Sequence, residues 1–261
     1  MLLAVDIGNT QTHLGVFEGE QLIHEWRAST DGRRTADELA LLFVQFLSLA
    51  DLYLTKDITG LSVSSVVPRA TQEIREMSTR YLGFPAIVVE AGTRTGIAVH
   101  TDNPREVGAD RIANAVAAHH LFPDQPAVVV DFGTAITVDA VSARGEYLGG
   151  AIAPGLDTSA SALFSATAQI GRVALVAPES VVGKTTVESV QSGIMYGTAA
   201  LIDGLVVKVR DEIGDGARVI ATGGFAGRVV RHCETIERVE PALTLMGLRL
   251  VYERNLSGST S

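Results

Sequence analysis

The stretch Asp6-Ile7-Gly8-Asn9-Thr10-Gln11-Thr12 returns 125 residues later as Asp131-Phe132-Gly133-Thr134-Ala135-Ile136-Thr137. Each copy follows a short apolar run, Leu2–Val5 in one case and Ala127–Asp131 in the other, of the kind that forms a buried strand. Each precedes two further strand-like segments split by a turn. In the first copy these are Thr12–Phe17 and Gln21–Trp26 around Glu18-Gly19-Glu20; in the second, Ile136–Val141 and Tyr147–Ile152 around Ser142-Ala143-Arg144-Gly145-Glu146. The turns correspond as well, Gly19-Glu20-Gln21-Leu22 against Gly145-Glu146-Tyr147-Leu148, with one extra residue in the second copy. A repeat of nearly half the chain is far too long for a solenoid. It predicts two related α/β halves, each opening with a strand, a loop and a hairpin, with the boundary near Leu121–Pro126, hence residues 1–121 and 122–261.

Working outward, Leu39, Leu42, Phe43, Phe46 and Leu47 recur at helical spacing, and Thr35 with Glu38 has the spacing of a capping box. Leu61–Val67 reads as a strand ending at Pro68, followed by a polar helix to about Tyr81 and a strand near Ala86–Val89. Arg105–Leu121 reads as helical, and Pro123-Asp124-Gln125-Pro126 breaks the pattern. Thr186–Ile213 is expected as a long apolar helix with a break near Gly193 or Gly197. Arg218–Ala221 reads as a strand, Gly223-Gly224 as a turn, and Pro241–Arg254 as a closing helix with Pro241 in its first turn. The tail Ser257-Gly258-Ser259-Thr260-Ser261 is expected to be disordered.

The chemistry of the repeat is that of an anion-binding turn. Glycine lets the backbone bend sharply and approach a ligand without a Cβ in the way. Backbone N–H groups beyond it can point at an anion, and Asn9, Thr10 and Thr134 add side-chain donors. The strand-end aspartate can hold a cation, directly or through water. One such loop also fits an ordinary strand-to-turn junction; two in matching context favour a pair that clamps a triphosphate, which suits phosphoryl transfer. Ala221-Thr222-Gly223-Gly224-Phe225, late in the second half, is a third glycine turn after a strand.

Asp102-Asn103-Pro104-Arg105-Glu106-Val107-Gly108-Ala109-Asp110-Arg111 is dense in polar groups just before the second half. Asp110 falls at a helix start, where an acidic residue is favoured electrostatically in any protein. It also has the chemistry of a general base for an alcohol acceptor. Arg111 could grip a substrate carboxylate or the transferring phosphoryl group. Both readings of Asp110 stand on residue chemistry alone.

The net charge of −9 argues against a nucleic-acid platform, which normally carries a basic patch. With 46% hydrophobic and 20% charged residues, the chain can bury a sizeable core. The lone cysteine, Cys233, allows no internal disulfide. Asp6 interrupts the N-terminal apolar run too early for a signal peptide, and no run approaches about 18 uninterrupted apolar residues. A soluble cytoplasmic protein, without nucleic-acid or membrane partners, is expected.

The motifs Asp6-x-Gly8-Asn9-Thr10, Ser65-Val66-Val67-Pro68, Asp102-Asn103-Pro104 running into Gly108-Ala109-Asp110-Arg111, Asp131-x-Gly133-Thr134-Ala135, and Gly183-Lys184-Thr185-Thr186 occur in this order over about residues 1–250. In that order they resemble type III pantothenate kinase. The resemblance implies an α/β fold of two duplicated actin-like (ribonuclease H-like) domains with a nucleotide cleft between them, the Gly223-Gly224 turn lying on the adenosine side. It implies transfer of the γ-phosphoryl of ATP to the primary hydroxyl of pantothenate, the first step of coenzyme A synthesis. It implies that Asp6, Ile7, Gly8, Asn9, Thr10, Gln11, Thr12 and His13 form an ATP loop with Asp6 near Mg²⁺, and that Thr134 is a second ATP contact. Gly108, Ala109, Asp110 and Arg111 would line the pantothenate site, Asp110 being the proton acceptor, and Thr186 would be a further pantothenate contact. Asp131 would be the ligand of a required monovalent cation, K⁺ or NH₄⁺. A homodimer with the substrate pocket near the subunit interface is implied as well. The sequence departs from the pattern at Thr101, where many members have a tyrosine that contacts the substrate.

The alternatives are another acetate- or sugar-kinase-like phosphotransferase, a non-catalytic regulatory relative acting in transcription, or a polymer-forming or chaperone ATPase. Loss of the base or the loops would mark the regulatory relative, yet Asp6, Asp110, Asp131 and Thr134 are all present. The chain is short and carries no appended peptide-binding module, which disfavours the last.

Overall fold

The computed structural model describes residues 1–166 and 171–256, so the expected disordered tail lies outside the described residues. The chain forms two compact units. The first opens with β1 (Leu2–Ile7), β2 (Gln11–Glu18) and β3 (Gln21–Ser29). It continues through α1 (Ala36–Ser48), α2 (Leu54–Asp57), β4 (Gly60–Ser65), α3 (Pro68–Met77), β5 (Ile87–Val88), β6 (Ala98–Val99) and the start of α4 (Ala109–Leu121). The second contains β7 (Ala127–Phe132), β8 (Ala135–Val141), β9 (Glu146–Pro154), α5 (Leu156–Ala166), α6 (Thr186–Ile213), β10 (Arg218–Thr222), α7 (Ala226–Val229) and β11 (Arg238–Val239). The closing helix α8 (Leu243–Leu256) returns to the first unit. The division therefore falls after Ala117, inside α4, and not at 121/122, and the last helix does not belong with the second half.

The duplication holds at the level of topology. Strand order in the first unit is β3-β2-β1-β4-β5, and the strands of the second follow the order β9-β8-β7-β10-β11. In both, the hairpin partners are antiparallel and the two later strands parallel. Even the β-bulge recurs, between Val16 and Phe17 and between Ala140 and Val141.

In the first unit, alternation along β1, β2 and β4 sends Leu3, Val5, Ile7, Leu14, Val16, Leu61 and Val63 to one core, where α1 and α3 supply Leu39, Phe43, Leu47, Ile74 and Met77. Each such side chain, fully buried, stabilises by about 1.5–3 kcal/mol. The expected capping box is present: Thr35 Oγ1 accepts from Glu38 N, and Glu38 Oε2 accepts from Thr35 N at 2.8 Å. The other sheet face is lined by small residues, and this lets α8 approach closely. Leu245 packs over Gly15, the Ser62 hydroxyl donates to the Leu248 carbonyl at 2.8 Å, and any side chain at Gly60 would overlap the Tyr252 ring. A side chain at Gly247 would overlap the backbone of Ala113.

In the second unit, Val128, Val130, Phe132, Ile136 and Val138 meet Met195, Ala199, Ile202 and Val206 of α6. Helix α6 runs unbroken through Gly193 and Gly197. Each glycine costs about 1 kcal/mol of helix propensity, less than the packing on this face returns. Length and composition would also let α6 cross a membrane, but Met195, Ile202 and Val206 are packed in the core. Helix α8 begins at Leu243, so Pro241 lies in the turn ahead of it. Pro104–Glu106 forms a separate 3₁₀ turn before α4, where one continuous helix from Arg105 was expected.

Candidate active site

The two glycine loops close in the same way. Gly8 N–H donates to the Gln11 carbonyl at 3.0 Å, and Gly133 N–H to the Ala135 carbonyl at 3.1 Å. Beyond each hairpin the chain returns to the loop: Thr30 N–H donates to the Thr10 carbonyl at 2.9 Å and Gly155 N–H to the Thr134 carbonyl at 3.1 Å. Thr10 and Thr134 are thus equivalent. Strand register makes the second loop one residue shorter, because Ile7 pairs with Thr12 whereas Phe132 pairs with Ile136. The ungapped match of the two motifs therefore slips after the glycine. His13 corresponds to Thr137, and the extra residue in the second hairpin turn restores the offset of 125. The side chains of Asn9, Thr10 and Gln11, and of Thr134, are exposed at the loop tips.

Asp6, the penultimate residue of β1, is half-buried beside Ser64 of the parallel strand β4. The wholly buried Ser64 hydroxyl donates to Asp6 Oδ1 at 2.7 Å. A carboxylate so anchored is an oxygen ligand of the kind hard cations prefer. His13 stands opposite Asp6, with Nε2 2.9 Å from Glu25 Oε2 on β3. Burial, and then the Arg27 guanidinium, lower its pKa from 6.5, and Glu25 opposes the shift. Thr12 and His13 are both buried, so the exposed donors of this loop are residues 9–11. Ser64 and Glu25 were not singled out from sequence, because only strand register brings them to the loop.

Asp131 is the penultimate residue of β7, with Thr222 of β10 beside it. Gly223 takes φ +95, and a Cβ there would lie 2.5 Å from Asp131 Oδ1. The glycine turn thus leaves open the space beside the carboxylate, and Phe225 N–H donates to the Phe132 carbonyl at 3.2 Å. An oxygen donor in a space kept clear by glycine fits a hard cation. Among the described residues no cluster of three or more His, Cys, Asp or Glu side chains could hold a metal.

Asp110 is the second residue of α4, and its Oδ1 accepts from Arg111 N–H at 2.8 Å. The carboxylate folds over Gly108, where any Cβ would collide with it. The 3₁₀ turn ahead is fixed by Asn103 Nδ2 donating to Glu106 Oε1 at 2.6 Å. Thr101 Oγ1 is buried with no hydrogen-bonding partner among the described residues. Thr186 is exposed at the first position of α6, whose start is a second capping box formed by Thr185 and Glu188. Lys184 N–H also donates to Glu188 Oε2, so the Gly183–Thr186 motif is explained locally as a helix start. Residues 6–13 and 108–111 belong to the first unit, and Asp131, Thr134 and Thr186 to the second.

Solved structures share this architecture. The activator component A of (R)-2-hydroxyglutaryl-CoA dehydratase from Acidaminococcus fermentans matches with TM-score 0.59 at 16% identity, covering 98% of both chains. The inorganic polyphosphate/ATP-glucomannokinase from Arthrobacter sp. strain KM matches with TM-score 0.52 at 15% identity, also covering 98% of both. At such identities the likeness is one of fold, and it defines the fold class: a two-domain, actin-like α/β protein. Sequence relatives narrow the class. The family model for type III pantothenate kinase matches residues 2–208. The type III pantothenate kinases of Frankia alni and Rhodococcus jostii are 52% and 54% identical, covering 98% of this chain and 100% and 96% of theirs. The chain belongs to the type III pantothenate kinase family, whose members are ATP-dependent kinases.

Proposed function

We propose that the chain transfers the γ-phosphoryl group of ATP to the primary hydroxyl of pantothenate, giving 4'-phosphopantothenate, with its residues in the following roles. Backbone N–H groups and side chains of residues 6–13, with Thr134, hold the phosphates. Asp110 takes the hydroxyl proton as the bond to phosphorus forms, and Arg111 pairs with the substrate carboxylate. Thr186 contacts pantothenate at the start of α6. Asp6 is the ligand for Mg²⁺ and Asp131 for K⁺ or NH₄⁺; bound there, the cations offset the negative charge of the phosphates. The observation that carries this reading is the matching return of the chain to the two loops, at Thr10 and at Thr134, in a chain of this family.

A homodimer working in the cytoplasm belongs to the same reading. Helix α6 supports it: the exposed Leu201 lines a cavity of about 610 Å³ together with Leu163, Val190, Gly193, Ile194 and Gly197. A second copy seated there would cover them. Mass spectrometry of the product after incubation with ATP, Mg²⁺, K⁺ and pantothenate tests the reaction. Singly phosphorylated pantothenate is expected, and its absence with active-site loops intact would overturn the assignment.

A further inference from the structure

Asp139 is wholly buried, yet both of its oxygens accept hydrogen bonds. The Thr137 hydroxyl donates to Oδ2 at 2.8 Å, and the buried Tyr147 hydroxyl donates to Oδ1 at 2.8 Å. A buried carboxylate is costly even when so bonded. The duplicated hairpin does not need one to fold. In the first unit the matching positions are Gly15 for Asp139, Leu22 for Tyr147 and His13 for Thr137, and Leu245 fills the space over Gly15. The buried carboxylate is thus peculiar to the second hairpin.

Its effect falls on Thr137. A threonine hydroxyl has one proton, and here that proton is committed to Asp139. Toward its other neighbours Thr137 Oγ1 then presents lone pairs only. The residue directly opposite it, on the same sheet face, is Asp131. Cross-strand partners stand about 5 Å apart at Cβ. Two oxygen acceptors so placed would repel a phosphate and attract a hard cation. In the first unit the residue opposite the strand-end aspartate is His13, a ring bonded to Glu25, so this oxygen pair has no equivalent there.

We propose that Thr137 is a second oxygen ligand of the monovalent cation at Asp131, and that Asp139 with Tyr147 is the positioning device that turns its lone pairs to the cation. The proposal rests on the assignment of that cation to Asp131. The test is thermal unfolding of the full chain with a non-hydrolysable ATP analogue, titrated with KCl against choline chloride at constant ionic strength. Thr137→Val is expected to raise the K⁺ midpoint at least about tenfold, as loss of a ligand or its support does. Thr137→Ser should stay near wild type, and Tyr147→Phe should fall between. If Thr137→Val keeps the wild-type midpoint while Asp131→Asn loses the response, the proposal is overturned and the role of Asp131 stands. A wild-type midpoint in Asp131→Asn, or no K⁺ response in the wild type, would overturn the assignment to Asp131 and the proposal with it. Should Thr137→Val lower the melting temperature in choline as well, Tyr147→Phe decides, and an unchanged K⁺ midpoint in it overturns the proposal.

Discussion

Ser64 donates its buried hydroxyl to Asp6 across two parallel strands, at 2.7 Å. The bond fixes the rotamer of the aspartate proposed to face Mg²⁺. Ser64→Ala removes one hydrogen bond to a charged group without adding bulk, at a cost of about 1.5–3 kcal/mol. The Mg²⁺ concentration for half-maximal activity should rise about tenfold, while the pantothenate KM stays near wild type. A Mg²⁺ titration of initial rate at saturating pantothenate measures it; an unchanged midpoint would remove Ser64 from this role.

Gly223 and Asp131 make a second pair of this kind. Alanine at 223 must hold φ +95 and bring a Cβ within 2.5 Å of Asp131 Oδ1 and 2.6 Å of the Phe132 backbone. The backbone strain alone is worth about 1–2 kcal/mol. Gly223→Ala should lower the melting temperature and weaken K⁺ dependence together. Gly216→Ala, at a glycine with open space around it, is the control and should do neither.

His13 predicts a pH dependence of stability. Its folded pKa is lowered by burial and by Arg27. As pH falls through about 6.5, the unfolded imidazole takes a proton before the folded one does. The stabilisation is thus complete above that pH and is lost as pH falls toward the lower folded value. Urea unfolding at about pH 7.5, 6 and 5 should show wild type losing stability more steeply than His13→Gln. Equal slopes would contradict the buried, neutral ring.

Asp110→Asn keeps an oxygen to accept from Arg111 N–H, so the start of α4 should survive and the melting temperature should hold. Removing a general base lowers kcat by about 10²–10⁴-fold. Wild-type turnover in this variant would remove Asp110 as the base while leaving the kinase reading intact.

Much of this was legible in the sequence because it is local. The hairpins, the capping box at Thr35 and the full extent of α6, Thr186–Ile213, follow from alternation, helical spacing and cap chemistry within a few residues. What was missed is long-range. An amphipathic closing helix carries no label for the sheet it covers, and only Gly15, Gly60 and Ser62 show why α8 returns to the first unit. The loop motifs match without a gap through residue 12, so the missing residue after Gly133 emerges only from strand register. Asp139 alternates with Val138 and Ala140 as an exposed strand residue would, and its burial depends on Tyr147 from the neighbouring strand. The two glycine loops and the Asp110 segment were readable as motifs, whereas Ser64 and Glu25, which bond Asp6 and His13, were not.

This chain is proposed to phosphorylate pantothenate with ATP in a monovalent-cation-dependent reaction. Coupled ADP release, measured with and without pantothenate and with K⁺ or choline as the counterion, tests it most directly. ADP release is expected to require pantothenate and to rise on adding K⁺ or NH₄⁺. No pantothenate-dependent ADP release in either cation would contradict it.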